Sequence, residues 1–71
     1  MKPGMKIILN NREEFFEGDQ MTVTELLAAK NFTFKMLVVK INAELVRRHE
    51  YEKRMVTDGD EVMVLHLITG G

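Results

Sequence analysis

A single short helix, with signals at both of its ends, is predicted for residues 22–30. Thr22 can cap the first turn, and Glu25, three residues later, can reach back to complete a capping box. Asn31 tolerates the left-handed conformation in which many helices end. The apolar residues that share one helix face are Val23, Leu26 and Leu27. One helix of this length cannot bury its own apolar face, so the rest of the chain must supply a surface for it.

The segment before the helix is predicted to form a hairpin. Residues 5–9 carry apolar side chains at every second position, as a half-buried strand does. Asn10-Asn11 tolerates the positive φ angles of a tight turn. Arg12 to Glu17 can then return as a second strand, with either Phe15 or Phe16 facing the core.

Two further strands are predicted after the helix. Leu37 to Ile41 alternates and is rich in β-branched residues. Glu61 to Ile68 follows the strong turn signal Asp58-Gly59-Asp60. Residues 45–56 between them have no clean period, and they are expected to hold a short strand and one helical turn near Glu50.

This order of elements predicts an α+β fold of the β-grasp type. One helix would pack on one face of a mixed sheet of four to five strands, with the first and last strands parallel at its centre. The chain is expected to form a single domain over residues 1–71. Residues 1–4 are expected to be a disordered leader, and residues 69–71 a flexible C-terminal tail.

Composition argues against several classes of function. The net charge is −1 and acidic residues interleave with the basic ones of residues 47–54, so no nucleic-acid partner is expected. No apolar run approaches the roughly 20 residues of a membrane helix, and no signal peptide is recognisable, so a soluble cytoplasmic protein is expected. Cysteine and serine are absent, and His49 and His66 alone are too few for a zinc site. A carrier or binding module is therefore expected, rather than an enzyme.

The sequence ends in Gly70-Gly71, preceded by Thr69. Because glycine lacks Cβ, such a tail is thin and adopts conformations that are closed to other residues. It can thread a narrow channel and present the α-carboxylate of Gly71 to the nucleotide site of another enzyme. A carboxylate becomes a good electrophile once it is converted to an acyl-adenylate, and a terminal glycine hinders attack on that carbonyl least.

Over nearly all of its length the sequence resembles the ThiS family of sulfur carriers, within the wider ThiS/MoaD group of ubiquitin-like proteins. The resemblance is carried by an opening strand that ends in Asn10 and by six motifs that follow it along the chain. In order, these motifs are Thr22-Val23-Thr24-Glu25-Leu26-Leu27, Val39-Lys40-Ile41-Asn42, Val46-Arg47-Arg48-His49-Glu50-Tyr51, Asp58-Gly59-Asp60-Glu61-Val62, Val64-Leu65-His66 and Gly70-Gly71. Two features depart from the family pattern. Residues 1–4 extend past the usual start, and Thr69 stands where many relatives have another glycine or a small residue.

The resemblance implies that Gly71 is the modified residue. A ThiF-type enzyme would use ATP and magnesium to adenylate its carboxylate, and a persulfide supplied through a cysteine desulfurase would displace AMP to leave a thiocarboxylate. Thiazole synthase would then take the sulfur, and no cofactor would be bound permanently by the carrier. The alternatives are a MoaD-like or RNA-thiolation sulfur carrier, and a ubiquitin-like interaction module with an unmodified C-terminus.

Apolar residues also occupy strand positions that alternate with the core positions. If the core positions point at the helix, then Ile8, Val38, Met63 and Leu65 point outward. A contiguous apolar patch on a small domain often marks an interface, so these residues are predicted to bind the partner enzymes and to aim the tail. The prediction depends on register, because a slip of one residue exchanges the two faces of a strand.

Overall fold

The structure, a computed structural model, describes residues 4–32 and 36–66. Its elements in chain order are β1 (Gly4–Leu9), β2 (Arg12–Glu17), β3 (Gln20–Thr22), α1 (Val23–Ala29), β4 (Leu37–Ile41), β5 (Glu44–Val46), a single 3-10 turn (Arg48–Glu50), β6 (Met55–Thr57) and β7 (Glu61–His66). Residues 67–71 lie outside the described residues. They include the predicted end of the last strand and the tail residues Thr69, Gly70 and Gly71.

The main sheet has five strands in the order β2-β1-β7-β4-β5. β1 and β7 lie in parallel, and every other neighbouring pair in this sheet is antiparallel. The sheet is therefore mixed, with the first and last strands adjacent at its centre, as the sequence predicted. With α1 packed on one face, this confirms the expected α+β fold of the β-grasp type.

The first strand begins earlier than expected. Gly4, assigned by sequence to the disordered leader, opposes Glu17 as the first residue of β1. The hairpin with β2 runs six residues long on each strand, so the ladder extends to Gly4. Residues 1–3 lie outside the described residues, and for them the leader stays a prediction.

Buried apolar side chains form one core between the helix and the main sheet. The core residues are Ile7, Leu9, Val23, Leu26, Leu27, Val39, Ile41, Val46, Val56, Val62 and Val64. Phe16 packs against this core, whereas Phe15 on the same strand is 72% exposed. The structure thus settles which of the two phenylalanines faces inward.

A second, two-stranded sheet was not predicted from the sequence. It pairs β3 with β6 in antiparallel fashion, three residues on each strand. Val56 of β6 is fully buried and belongs to the core. The irregular segment before β6 also bonds to the first turn of α1. The Thr24 N–H donates to the Tyr51 carbonyl and the Val23 N–H donates to the Arg54 carbonyl, each at 3.1 Å. Residues 48–57 therefore serve to anchor the helix.

The predicted capping box of α1 is present in full. The Glu25 N–H donates to Thr22 Oγ1 at 3.0 Å, and the Thr22 N–H donates to Glu25 Oε1 at 2.8 Å. At the other end Asn31 has a φ of 60°, and the Phe32 N–H donates to the Leu27 carbonyl at 2.8 Å. This is the helix stop that the sequence predicted, and this bond is one of the two typical of a left-handed termination.

Substitution Thr22→Ala is expected to destabilise the fold by about 1 kcal/mol, because it leaves the Glu25 N–H without its side-chain acceptor. The measurement is urea unfolding, in which the midpoint should fall while the slope m stays constant. Thr24→Ala is the matched control, since Thr24 is exposed within the same helix and alanine is the better helix former. Equal loss of stability in the two variants would contradict a role for the cap.

Candidate functional site

The four residues predicted to point away from the helix lie together on the outer face of the main sheet. Val38 pairs directly with Leu65, and Met63 is the preceding outward residue of β7. Ile8 lies on the neighbouring strand β1, diagonal to Met63, because its direct partner is Glu61. Leu65 is 48% exposed, and the other three are partly buried. The predicted role of these residues in partner binding stays a prediction.

Two exposed residues that the sequence did not assign to this face extend it at both edges. Phe15 on β2 lies opposite Lys6, and Leu45 on β5, 49% exposed, lies opposite Lys40. Directly opposed residues share a face of the sheet, and both lysines alternate with buried positions of their strands. The outer apolar face is accordingly formed by Phe15, Ile8, Met63, Leu65, Val38 and Leu45.

Charged residues lie among the members of the outer apolar face. Lys6 pairs with Glu13 at 3.4 Å between Nζ and Oε2, with both side chains about half exposed. Such exposed pairs contribute roughly 0–1 kcal/mol, so this one is a surface feature rather than a source of stability. Lys40 stands between Met63 and Leu45 in the strand order. A partner that covers this face must therefore accommodate an ion pair at one edge and a lysine near the other.

The start of β7 is held by a turn with several side-chain bonds. Asp58 Oδ1 accepts from the Lys6 N–H at 2.8 Å, which ties the turn to β1. Asp60 Oδ2 accepts from the Thr57 N–H at 2.9 Å, and Asn42 Nδ2 donates to Asp60 Oδ1 at 3.0 Å. The Asp58-Gly59-Asp60 motif thus fixes where the last strand begins.

The end of β7 is held by a different set of contacts. On one side His66 opposes Leu37 of β4. On the other side the Asn10 side chain bonds to the backbone of Val64, with Nδ2 to the carbonyl at 3.1 Å and Oδ1 to the N–H at 2.8 Å. Residues 67–71, including the predicted site residues Thr69, Gly70 and Gly71, continue from this end of the strand and lie outside the described residues. Leu65 is the outward residue of the outer apolar face that lies nearest to this end of β7.

Burial raises the pKa of the Tyr51 phenol, and the neighbouring Arg48 guanidinium opposes that rise. No cluster of three or more His, Asp or Glu side chains that could hold a metal occurs within residues 4–32 and 36–66. In that same part of the chain, no helix has the length and apolar content needed to cross a bilayer. The features that remain are the outer apolar face and the strand that leads to the terminal glycines.

Comparison with known proteins relates the chain to small sulfur carriers. The chain is 27% identical to the sulfur carrier protein ThiS of Bacillus subtilis (strain 168), over 89% of its own length and 96% of that protein. It is 33% identical to a thiazole synthase of Paramagnetospirillum magneticum, where the match covers 94% of this chain. The chain spans only 20% of that synthase.

Among solved structures, the crystal structure of the thiamine biosynthesis protein ThiS from Geobacter metallireducens matches with a TM-score of 0.84 and 30% identity. That match covers 94% of this chain and all of the other. The family model named ThiS matches residues 5–71, so it includes the core, the outer apolar face and the terminal glycines. The chain belongs to the ThiS family.

Proposed function

We propose that this chain is a sulfur carrier of thiamin biosynthesis and that it carries sulfur as a thiocarboxylate on Gly71. The observation that carries the proposal is the extent of the family match, which covers residues 5–71 and therefore includes the terminal glycines at 70 and 71. A ubiquitin-like interaction module that bound its partners only through the sheet face would not need two terminal glycines for any chemical step. The chain acts in this proposal as a protein co-substrate, and the enzymes that act on it supply the catalytic groups.

The proposed chemistry starts with the carboxylate of Gly71. An oxygen of that carboxylate attacks the α-phosphorus of ATP, which a ThiF-type enzyme binds with magnesium, and pyrophosphate leaves. The terminal sulfur of a persulfide, formed by way of a cysteine desulfurase, attacks the acyl carbon and expels AMP. A thiol then cleaves the resulting S–S bond, which leaves the thiocarboxylate and a disulfide.

Thiazole synthase is the proposed acceptor of the sulfur. Support comes from the relative that bears this name and contains a segment similar to nearly the whole of this chain. When two interacting modules lie in one polypeptide, the effective concentration of one for the other reaches the millimolar range for short flexible linkers. A carrier-like segment within a synthase is therefore consistent with direct transfer of sulfur from the carrier to the synthase. This transfer is proposed to take place in the cytoplasm.

The outer apolar face is proposed as the surface on which the partner enzymes dock. This face presents Phe15, Leu45 and Leu65 with 72%, 49% and 48% exposure, and exposed apolar surface of this kind often marks an interface. It adjoins the end of β7, from which the tail continues. Docking on this face would therefore bring the partner close to the point where the tail begins.

Reconstitution tests the proposal. The purified chain is mixed with a ThiF-type enzyme from the same source, ATP, magnesium and labelled pyrophosphate. ATP–pyrophosphate exchange that requires the chain is expected, because adenylation of Gly71 is reversible until sulfur arrives. Binding without exchange would contradict the carrier role and would favour an interaction module with an unmodified C-terminus.

A further inference from the structure

We propose that Asn10 is a positioning residue, which holds the end of β7 and thereby sets the direction in which Gly71 is presented to the activating enzyme. This inference rests on the proposed function of Gly71. At the end of β7 that leads to the tail, β1 stops before β7 does. The parallel register of β1 with β7 ends at Leu9 and Val62, whereas β7 continues to His66.

The Asn10 side chain takes the place of the missing part of β1. The backbone N–H of Asn10 donates to the Val62 carbonyl at 2.9 Å, which completes the backbone ladder between β1 and β7. Its amide then bonds to both polar groups of Val64, at 2.8 Å and 3.1 Å. These bonds are partly buried and join residues 54 positions apart in sequence. One side chain thus extends the pairing of β7 by two residues beyond the register of β1.

The backbone at Asn10 shows why a side chain is needed for this contact. Its φ is 50°, and that of Asn11 is 68°, so the chain turns away toward β2 at this point. No backbone of β1 remains to pair with Val64. Without the amide, β4 is the strand among the described residues that would still hold the last part of β7, through pairs such as Leu37 with His66. A strand end held on one side opens more readily than one held on both sides.

Asn42 offers a natural control, because it makes the same kind of contact at the other end of β7. Its φ is 51°, nearly that of Asn10. Its Oδ1 accepts from the Glu61 N–H at 2.9 Å, and its own N–H donates to the Glu61 carbonyl at 2.7 Å. Asn42 therefore fixes the start of the strand, whereas Asn10 fixes the end that leads to Gly71.

The test compares Asn10→Gly with Asn42→Gly. Glycine adopts positive φ freely, so each change removes an amide without imposing strain on the turn. Hydrogen exchange of single backbone amides is measured first. In Asn10→Gly the Val64 amide should exchange at least ~10-fold faster than in Asn42→Gly, and the Glu61 amide should show the reverse order. Equal acceleration of Val64 in both variants would overturn the inference.

The second readout is turnover in ATP–pyrophosphate exchange at saturating concentrations of the carrier. Asn10→Gly should lower this turnover by about tenfold, because a poorly held tail samples the reactive geometry less often. Asn42→Gly should leave it unchanged. Exchange that is normal for the natural chain and for Asn10→Gly overturns the positioning role alone. If the natural chain itself supports no exchange, the proposed function fails and the positioning role fails with it.

Discussion

A chain that lacks Gly71 is expected to form no thiocarboxylate, although it folds and binds its activating enzyme as the full chain does. In the proposed reaction the carboxylate of Gly71 first attacks ATP, and its carboxyl carbon is then attacked by the persulfide. Deletion leaves the carboxylate of Gly70, set back by roughly 3.3–3.6 Å along an extended chain. A displacement of even 1 Å from the reactive geometry can lower a rate by on the order of 100-fold. We therefore expect ATP–pyrophosphate exchange to fall by ~100-fold or more.

Two controls separate the chemistry of the tail from the integrity of the fold. Thr69→Ala keeps the length of the tail and should support exchange at a rate near that of the natural chain. The buried apolar residues in the described part of the chain extend from Met5 to Val64, so the thermal unfolding of the shortened chain should match that of the full one. Exchange by the shortened chain at the rate of the full chain would contradict the assignment of Gly71.

Substitution Leu65→Asp is expected to weaken binding to the activating enzyme by about 100-fold, with Met63→Asp acting in the same direction. Both residues belong to the outer apolar face, and Leu65 lies on the strand that leads to the tail. An aspartate at position 65 would be buried in the interface opposite the apolar Val38, whereas one at position 63 would face Lys40, so the larger loss is expected at Leu65. The loss of a central contact residue destabilises a complex by roughly 2–4 kcal/mol. Calorimetric titration of each variant with the enzyme measures the change in Kd.

Met55→Asp is the matched control for these variants. Met55 is 41% exposed and lies on β6, whose neighbour Val56 is buried in the core on the helix side of the main sheet. An aspartate at position 55 should leave the affinity for the enzyme unchanged. Because all three positions are at least partly exposed, circular dichroism should show that each variant stays folded. Equal weakening by Met55→Asp and Leu65→Asp would contradict the assignment of the docking surface to the outer face.

Local sequence was sufficient to predict the elements whose determinants lie close together in the chain. The bonds that cap α1 join Thr22 to Glu25, only three positions away, so the capping box could be predicted from spacing alone. The sheet made of β3 and β6 could not be predicted in this way. Its strands are three residues long, and they pair Gln20 with Thr57, which are separated by about half of the chain. Strands of that length give too little alternation to be distinguished from a loop.

Part of the outer apolar face could also be predicted, because alternation assigns sides once one face is known to be buried. Ile8, Val38, Met63 and Leu65 follow from that rule. Leu45 was missed because β5 is too short for a pattern, although the turn at Asn42-Ala43 places it opposite Lys40. Counting residues outward from this two-residue hairpin turn would have placed Leu45 opposite Lys40.

The contacts of Asn10 with Val64 were beyond the reach of sequence reasoning. They depend on a parallel register between the two ends of the chain, which no local pattern specifies. Asn10 was predicted as a turn residue, and its positive φ confirms that prediction. The same residue also bonds to the backbone of the last strand, and this second role is visible only in the folded structure.

The intact mass of the protein, purified from its native source with an untagged C-terminus, shows directly whether Gly71 carries sulfur. A sulfur carrier should yield a species in which one oxygen is replaced by sulfur, with the change mapped to Gly71 by fragmentation. Contradiction would come from a plain carboxylate as the sole form, persisting after incubation with ATP, magnesium, a sulfur donor and the activating enzyme from the same source.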